Sequence, residues 1–203
     1  PLVYGEKRAV VPWTDLQSRR ASEEQVRKWF SQQRNVGLVC GEVSAGLVVQ
    51  DFESYKDYVA FYPSHRKLEE RTMVASTPHY GRHVYWLSIK PCRRSTRICE
   101  DPPIDILGDG GIVCAPPSVV DHTRCDKGKC AGKGVGKYEV MGSNEIRLID
   151  DIFAATVNRC RELGWAVKQG RRWAVDTGQS KVTTEVLYDG ESPPCIKNIL
   201  RGV

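Results

Sequence analysis

The run Gly46-Leu47-Val48-Val49-Gln50-Asp51-Phe52-Glu53 constrains this chain more than any other stretch. Three aliphatic residues lead directly into two carboxylates spaced two apart. A strand turns alternate side chains to opposite faces, so Asp51 and Glu53 project to one side and Phe52 to the other. The pattern therefore predicts a buried strand that ends in a pair of hard oxygen donors, at the strand end where open α/β sheets bind their ligands. Such a pair suits Mg²⁺ or Mn²⁺. Acidic residues also close strands simply as solvated turn positions, so the pair takes its meaning from the rest of the chain.

Around that strand the pattern is α/β. Ser22-Glu23-Glu24-Gln25 is a capping box, and Val26, Trp29 and Phe30 fall on one face of the helix it starts. Val36–Cys40 reads as a buried strand, and the Gly- and Ser-containing link 41–46 joins it to the acidic strand. Ser54 caps a helix carrying Tyr55, Tyr58, Val59 and Tyr62 at helical spacing, which Pro63 ends. From Thr72 the spacing changes to short strands separated by Pro and Gly: Thr72–Ser76, Arg82–Leu87, Ile104–Leu107 and Gly111–Ala115. This predicts an antiparallel or mixed sheet. Asp121–Lys137 reads as a loop, Tyr138–Met141 as a strand, and Ile149 to Leu163 as an amphipathic helix closed by Gly164. Trp165 and Trp173 are the apolar anchors of a polar tail.

With 203 residues, 40% hydrophobic and 27% charged, the chain has an ordinary globular composition and length enough for a sizeable core. No apolar run approaches the roughly 20 residues of a membrane span, and no signal-peptide pattern opens the chain. A cytoplasmic protein is expected. Its net charge of +5 fits a polyanionic partner. Eight scattered cysteines without a secretory signal read mainly as core thiols, with Cys40, Cys114 and Cys160 in apolar surroundings. Pro1 at the start and Pro193-Pro194-Cys195-Ile196-Lys197 near the end suggest a piece of a longer protein.

Two further stretches carry chemistry. In Ser76-Thr77-Pro78-His79-Tyr80-Gly81-Arg82-His83, a strand enters a turn and leaves it with Arg82 and His83 at its mouth. Both can donate hydrogen bonds to a triphosphate, and Gly81 allows close backbone approach; a hairpin with solvated polar ends is the plainer alternative. In Ile104-Asp105-Ile106, a carboxylate sits between two isoleucines, where a lone charge is costly and a partner or a metal is expected. Asp109 is adequately explained by its Gly-Asp-Gly-Gly turn.

The order of these motifs resembles the primase-polymerase (prim-pol) family of the archaeo-eukaryotic primase superfamily, found in archaeal plasmid and viral replication proteins. Its acidic pair matches Asp51 and Glu53, its small-x-His element Gly81-Arg82-His83, and its later apolar-Asp Asp105. Flanking text agrees: Trp29-Phe30, Gly41-x-x-Ser44-x-Gly46, Ser76-Thr77-Pro78 and Pro116-Pro117-Ser118. The similarity covers Val11 to Ser118 well and the remainder loosely. It implies an α+β catalytic core, an RRM-like mixed or antiparallel sheet with a flanking α/β unit, occupying residues 1–190. Residues 191–203 would begin a truncated downstream element of a larger replication protein with helical or helicase regions. The implied activity is template-directed nucleotidyl transfer, as DNA primase and polymerase, on single-stranded template, primer and dNTP or NTP. Two Mg²⁺ or Mn²⁺ ions would be held by Asp51, Glu53 and Asp105, and the nucleotide by Arg82, His83 and Ser118. The acidic pair would come from the α/β opening and the other residues from the later sheet.

His122-Thr123-Arg124-Cys125-Asp126-Lys127-Gly128-Lys129-Cys130 offers three zinc ligands in H-x-x-C-x₄-C spacing, inside a basic segment (119–137). Structural zinc takes four ligands. Some plasmid prim-pols carry a zinc-bearing stem here, with a Cys shortly before the His; this chain has Val119 and Val120 there, so Cys114 is the nearest substitute. A Cys125–Cys130 disulfide or free thiols remain alternatives. Arg124, Lys127, Lys129, Lys133 and Lys137, with Lys90, Arg93, Arg94 and Arg97, could follow a nucleic-acid backbone. Clustered carboxylates also suit a metal-dependent nuclease, which has less need of Arg82 and His83. A non-catalytic DNA-binding initiator module would leave Asp105 unexplained.

Overall fold

The alternation of side chains along Leu47–Phe52 divides the molecule into two cores. The structure, a computed structural model, describes residues 1–124 and 134–168. Its regular elements in chain order are α1 (Glu23–Trp29), β1 (Val36–Val39), β2 (Leu47–Phe52), α2 (Tyr55–Phe61), α3 (His65–Arg71), β3 (Val74–Ser76), β4 (Arg82–Ser88), β5 (Ser95–Glu100), β6 (Pro103–Leu107), β7 (Ile112–Ala115), β8 (Val119–Asp121), β9 (Val135–Lys137), β10 (Glu139–Val140), β11 (Arg147–Ile149) and α4 (Ile152–Glu162).

A seven-stranded sheet runs in the order β10-β3-β4-β2-β6-β5, with β11 also paired to β4. All of its pairings are antiparallel except β11 with β4. β3 pairs with Arg82–Val84 and β11 with Trp86–Ser88, so both lie along the same edge of β4 in succession. On one face Val48, Phe52, Val84, Trp86, Ile104 and Ile106 pack against the helices. On the other, Leu47, Val49, Ala75, Tyr85 and Leu87 pack beneath Val113 and Cys40. That second cover comes from a separate two-stranded sheet of β1 and β7. The fold is thus α+β, with helices on one side of the main sheet and a small sheet on the other.

Local chemistry sets the helix starts. Ser22 and Gln25 form the reciprocal capping box of α1. Ser54 accepts from the Asp57 N–H at 3.1 Å, and Asp151 from the Ala154 N–H at 2.9 Å, opening α2 and α4. Gly164, at φ 71°, follows α4 as a left-handed stop.

Several expectations need correction. β1 does not neighbour β2; it pairs with β7, so the opening of the chain is not a separate α/β unit supplying the acidic pair. The 121–137 segment is not wholly loop, because β8 and β9 pair antiparallel on either side of it. Ile149 ends β11 rather than beginning the last helix. α3 and β5 have no clear sequence signal; β5 pairs with β6 across a register shift between Ser95 and Cys99 and adds Ile98 and Cys99 to the core. The Val26–Phe30 stripe of α1 is not a core face, since no α1 residue is buried and Val26 and Phe30 are each 39% exposed. Cys40, Cys92, Cys99, Cys114 and Cys160 are buried free thiols. Cys125, Cys130, Lys127, Lys129, Lys133, Trp173, Cys195 and the 191–203 element lie outside the described residues. Among the described residues no helix is long and apolar enough to cross a membrane.

Candidate active site

Strand register assembles the site. Asp51 is the direct cross-strand partner of His83 on β4 and of Asp105 on β6. Directly paired side chains share a face, so His83, Asp51 and Asp105 form one row across three adjacent strands. The row continues the Leu47–Val49 face at the point where apolar residues give way to polar ones.

Each member is held differently. His83 is 4% exposed, and its Nε2 lies 3.4 Å from Asp51 Oδ1. Its Nδ1 has no hydrogen-bond partner. A buried polar atom without a partner costs about 1–3 kcal/mol, which a ligand filling the position would recover. Asp51 is more open, with 28% of its side chain exposed. Asp105 Oδ1 accepts the Arg97 backbone N–H at 2.6 Å. Burial pushes the Asp105 carboxyl above its ordinary range and the nearby Asp51 and Glu53 charges push the same way, while the Arg97 bond and Arg94 oppose them. Glu53 is exposed, one residue beyond the end of β2. Among the described residues no three His, Cys, Asp or Glu side chains already stand as a closed metal-ligand set. The Asp51–Asp105 pair nonetheless has the chemistry of a hard-cation site: two carboxylates side by side, one of them raised in pKa, with a third carboxylate near enough to be felt.

A cleft of about 130 Å³ borders this row, walled by Asp51, His83, Tyr138, Cys114, Ile112 and Lys7. Lys7 and Tyr138 carry no functional signal in the sequence. Lys7 arrives on an N-terminal strap, in which Leu2 bridges to Ala9 and Asn35 and Gly5 bridges to Val120. Asn35 fastens the strap, donating its side-chain amide to Glu6 O at 2.8 Å and to Val119 O at 2.6 Å. The Lys7 ammonium lies over the Tyr138 ring, 5.6 Å from its centroid. The Tyr138 ring packs 5.4 Å from that of His83, and its hydroxyl is directed at the Cys114 thiol. Burial, with Cys114 and the Asp51 charge, drives the Tyr138 phenol far above its ordinary pKa, so it stays a donor.

Other residues singled out in the sequence stand elsewhere. Arg82 is the register partner of Phe52 and shares its face, opposite to His83. Its guanidinium covers the Tyr55 ring at 4.6 Å. The structure does not bring Arg82 into the row. Nor does it bring Ser118, which is 2% exposed and whose hydroxyl accepts the Val36 N–H at 2.8 Å. Gly81 is required by the backbone rather than by a ligand: a Cβ there would collide with the Phe52 carbonyl. Asp109 takes the structural role expected of it, accepting the Glu42 N–H at 2.8 Å. Cys114 packs with Leu2, Val120 and Tyr138 beside the carboxylate cleft. His122 is buried with neither ring nitrogen partnered, its ring 4.6 Å from that of His79. Of the basic residues, Lys90 pairs with Asp150 at 3.2 Å, whereas Arg93, Arg94 and Arg97 are exposed on and before β5, Arg94 and Arg97 near Asp105 and Arg93 bridged to Asp109.

A search of curated proteins finds no match. A family model described as bifunctional DNA primase/polymerase, N-terminal, matches residues 1–138, a span that contains β2, β4 and β6 with the whole row they carry. As that match takes in more than half of the 203 residues, the chain belongs to the bifunctional DNA primase/polymerase N-terminal family, whose function is of the DNA primase/polymerase type with DNA and nucleotides as substrates.

Proposed function

We propose that the protein is a template-directed nucleotidyltransferase of mobile-element DNA replication, with both primase and polymerase activity, and that the His83–Asp51–Asp105 row is its catalytic centre. The observation that carries this reading is the pairing of two carboxylates and a buried imidazole with an unfilled nitrogen on three neighbouring strands. Asp51 and Asp105, with Glu53 at the strand end, would hold Mg²⁺ or Mn²⁺. Such ions supply Lewis-acid neutralisation of the transferring phosphoryl group and of the leaving pyrophosphate, and ease ionisation of the attacking 3′-hydroxyl.

The protein's own groups account for positioning. His83 is fixed by Asp51 at Nε2 and offers Nδ1 to a phosphate oxygen. Lys7 brings a positive charge to the other side of the cleft. Tyr138 keeps its hydroxyl protonated beside Cys114, from where it could turn to a polar atom of the nucleotide. Groups held in place before the substrate arrives contribute through orientation and charge complementarity rather than covalent chemistry. Arg93, Arg94 and Arg97 line the side from which a template backbone would be held, giving salt-sensitive binding. The larger replication protein expected around this chain belongs to the same proposal, as does zinc: the buried unpartnered imidazole of His122 suits a ligand, with Cys125 and Cys130 following at ligand spacing. Metal analysis of protein purified without added zinc should give about one equivalent; less than half would count against it.

The test is primer extension on a single-stranded template with Mn²⁺ and dNTPs. Asp51→Ala and Asp105→Ala should each abolish incorporation and leave salt-dependent DNA binding intact. Near-normal incorporation by either variant removes that residue from the centre. Degradation of the DNA without extension by the unaltered protein would favour a metal-dependent nuclease.

A further inference from the structure

A second cavity is on the opposite side of the sheet from the carboxylate row. It has a volume of about 530 Å³ and lies among the end of α2, α3, β11 and α4. That is within the roughly 300–1,000 Å³ of small-molecule sites, which are mostly apolar with a few fixed polar groups. Its apolar wall includes Phe61, Leu68, Trp86 and Ile149. The floor is a closed polar network. Gln50, fully buried, accepts from the Tyr62 hydroxyl at 2.6 Å and the Trp86 indole N–H at 2.9 Å, and donates to Thr156 at 2.7 Å. Fully partnered groups of this kind hold their shape without a ligand.

The charge of the lining is one-sided. Lys67, Arg71, Arg147 and Arg159 line the cavity and no Asp or Glu does. Arg147 donates Nε to the Arg71 carbonyl at 2.8 Å, which anchors its guanidinium in the wall. Arg159 is partly neutralised by Glu162 at 3.0 Å, but Lys67 and Arg147 have no acidic partner among the described residues. Guanidinium and ammonium groups gathered at one opening match an anion of more than one charge, because each can make a charge-assisted bond to a different oxygen. The volume and the apolar wall of this half-open cavity suit a compact body rather than a long chain. A flat base with a polyphosphate has both properties.

We propose that this cavity is a second nucleotide site, separate from the carboxylate row and independent of divalent ions. The base rests against Leu68 and Ile149, the partly exposed members of the apolar wall, and the phosphates meet Lys67 and Arg147. Because it sits on the reverse face of β2 and β4, its occupant would stiffen the strands that carry Asp51 and His83, making it a regulatory rather than a substrate position.

Calorimetric titration of ATP into the full chain in EDTA tests this, and the result does not depend on polymerase activity. Saturable binding of one equivalent is expected, retained within twofold by Asp51→Ala. Ala155→Trp fills the cavity from an exposed position on α4, and Lys67→Glu reverses a surface charge; each should weaken binding at least tenfold with little change in Tm. Tripolyphosphate and adenosine should each bind at least tenfold more weakly than ATP. The proposal is overturned if Ala155→Trp and Lys67→Glu both bind ATP within twofold of the unaltered protein, or if Asp51→Ala abolishes binding. Tripolyphosphate matching ATP would reduce the cavity to a general polyanion patch and overturn it too. So would the absence of saturable ATP binding, which would leave the cavity to an acidic segment of a partner protein.

Discussion

Asp105→Asn separates what the carboxylate row costs the fold from what it contributes to function. Asp105 and Asp51 are direct register partners, and like charges in that relation destabilise a sheet by roughly 0.2–1 kcal/mol. Asparagine keeps an oxygen for the Arg97 N–H, which now lies 2.6 Å from Asp105 Oδ1, and removes only the charge. Without divalent ions the variant should therefore be the more stable protein. For a chain of this size about 1 kcal/mol corresponds to roughly 2–4 °C in Tm, so a rise of about 1–4 °C is expected. The pH dependence follows from the raised carboxyl of Asp105. Between its ordinary and its folded pKa the native state binds more protons than the unfolded state, so stability falls as pH rises through that window. The variant's advantage is complete above the folded value and vanishes below the ordinary one. Divalent ions reverse the order. A ligand at 100 times its Kd adds about 2.7 kcal/mol to the state that binds it, so saturating Mn²⁺ should lift the unaltered protein above the variant. Thermal unfolding of both proteins in EDTA and in Mn²⁺ reads all of this. A variant less stable than the unaltered protein in EDTA would refute the electrostatic argument, and equal stabilisation by Mn²⁺ would refute Asp105 as a ligand.

Other perturbations probe the supports of the row. Lys7→Ala should raise the nucleotide KM about tenfold with little change in kcat, as expected for loss of a charge-assisted phosphate contact of about 1.5 kcal/mol or more; steady-state extension kinetics check it. Gly81→Ala drives a methyl group against the Phe52 carbonyl and should destabilise the protein by about 1–3 kcal/mol in urea unfolding, while shifting β4 against β2 and so lowering incorporation. Gln50→Leu leaves the Trp86 indole N–H and the Tyr62 hydroxyl without their acceptor and should cost about 2–4 kcal/mol by the same measurement, although no residue of the row is touched.

The sequence was legible where a signal is local. The Ser22 capping box, the alternation through Leu47–Phe52 and the misplaced charge at Asp105 each depend on a few consecutive residues, and each corresponds to a real feature of the fold. Pairing between strands is not local. Nothing in the text of β1 says that it joins β7 across more than seventy residues instead of lying beside β2, nor that Val36–Val39, expected to be buried, end up only half-buried. Lys7 is the extreme case: an ordinary charged residue in a turn becomes a wall of the site only because Asn35 and Val120 fasten the strap that carries it. β5 lacks a signal for the related reason that its core residues, Ile98 and Cys99, are adjacent, so no alternating apolar pattern marks it.

Arg82 and His83 show how one step along a strand decides a role. As a dipeptide at the mouth of a turn they look like a joint phosphate clamp, but the two-residue period of a strand sends them to opposite faces. His83 faces Asp51, while Arg82 shares the Phe52 face and stacks on Tyr55. The same rule works in the other direction for Asp51 and Asp105, fifty-four positions apart in the chain and adjacent in the sheet. The central strand thus does two unrelated jobs with alternate residues. Asp51 serves the carboxylate row, and Gln50 pins α2, α4 and β4 behind it through Tyr62, Thr156 and Trp86. Any ligand that bears on the helical face therefore bears on the backbone that sets the spacing of Asp51 and Asp105, and this physical link is what would give a site on the reverse face a means of influencing the proposed centre.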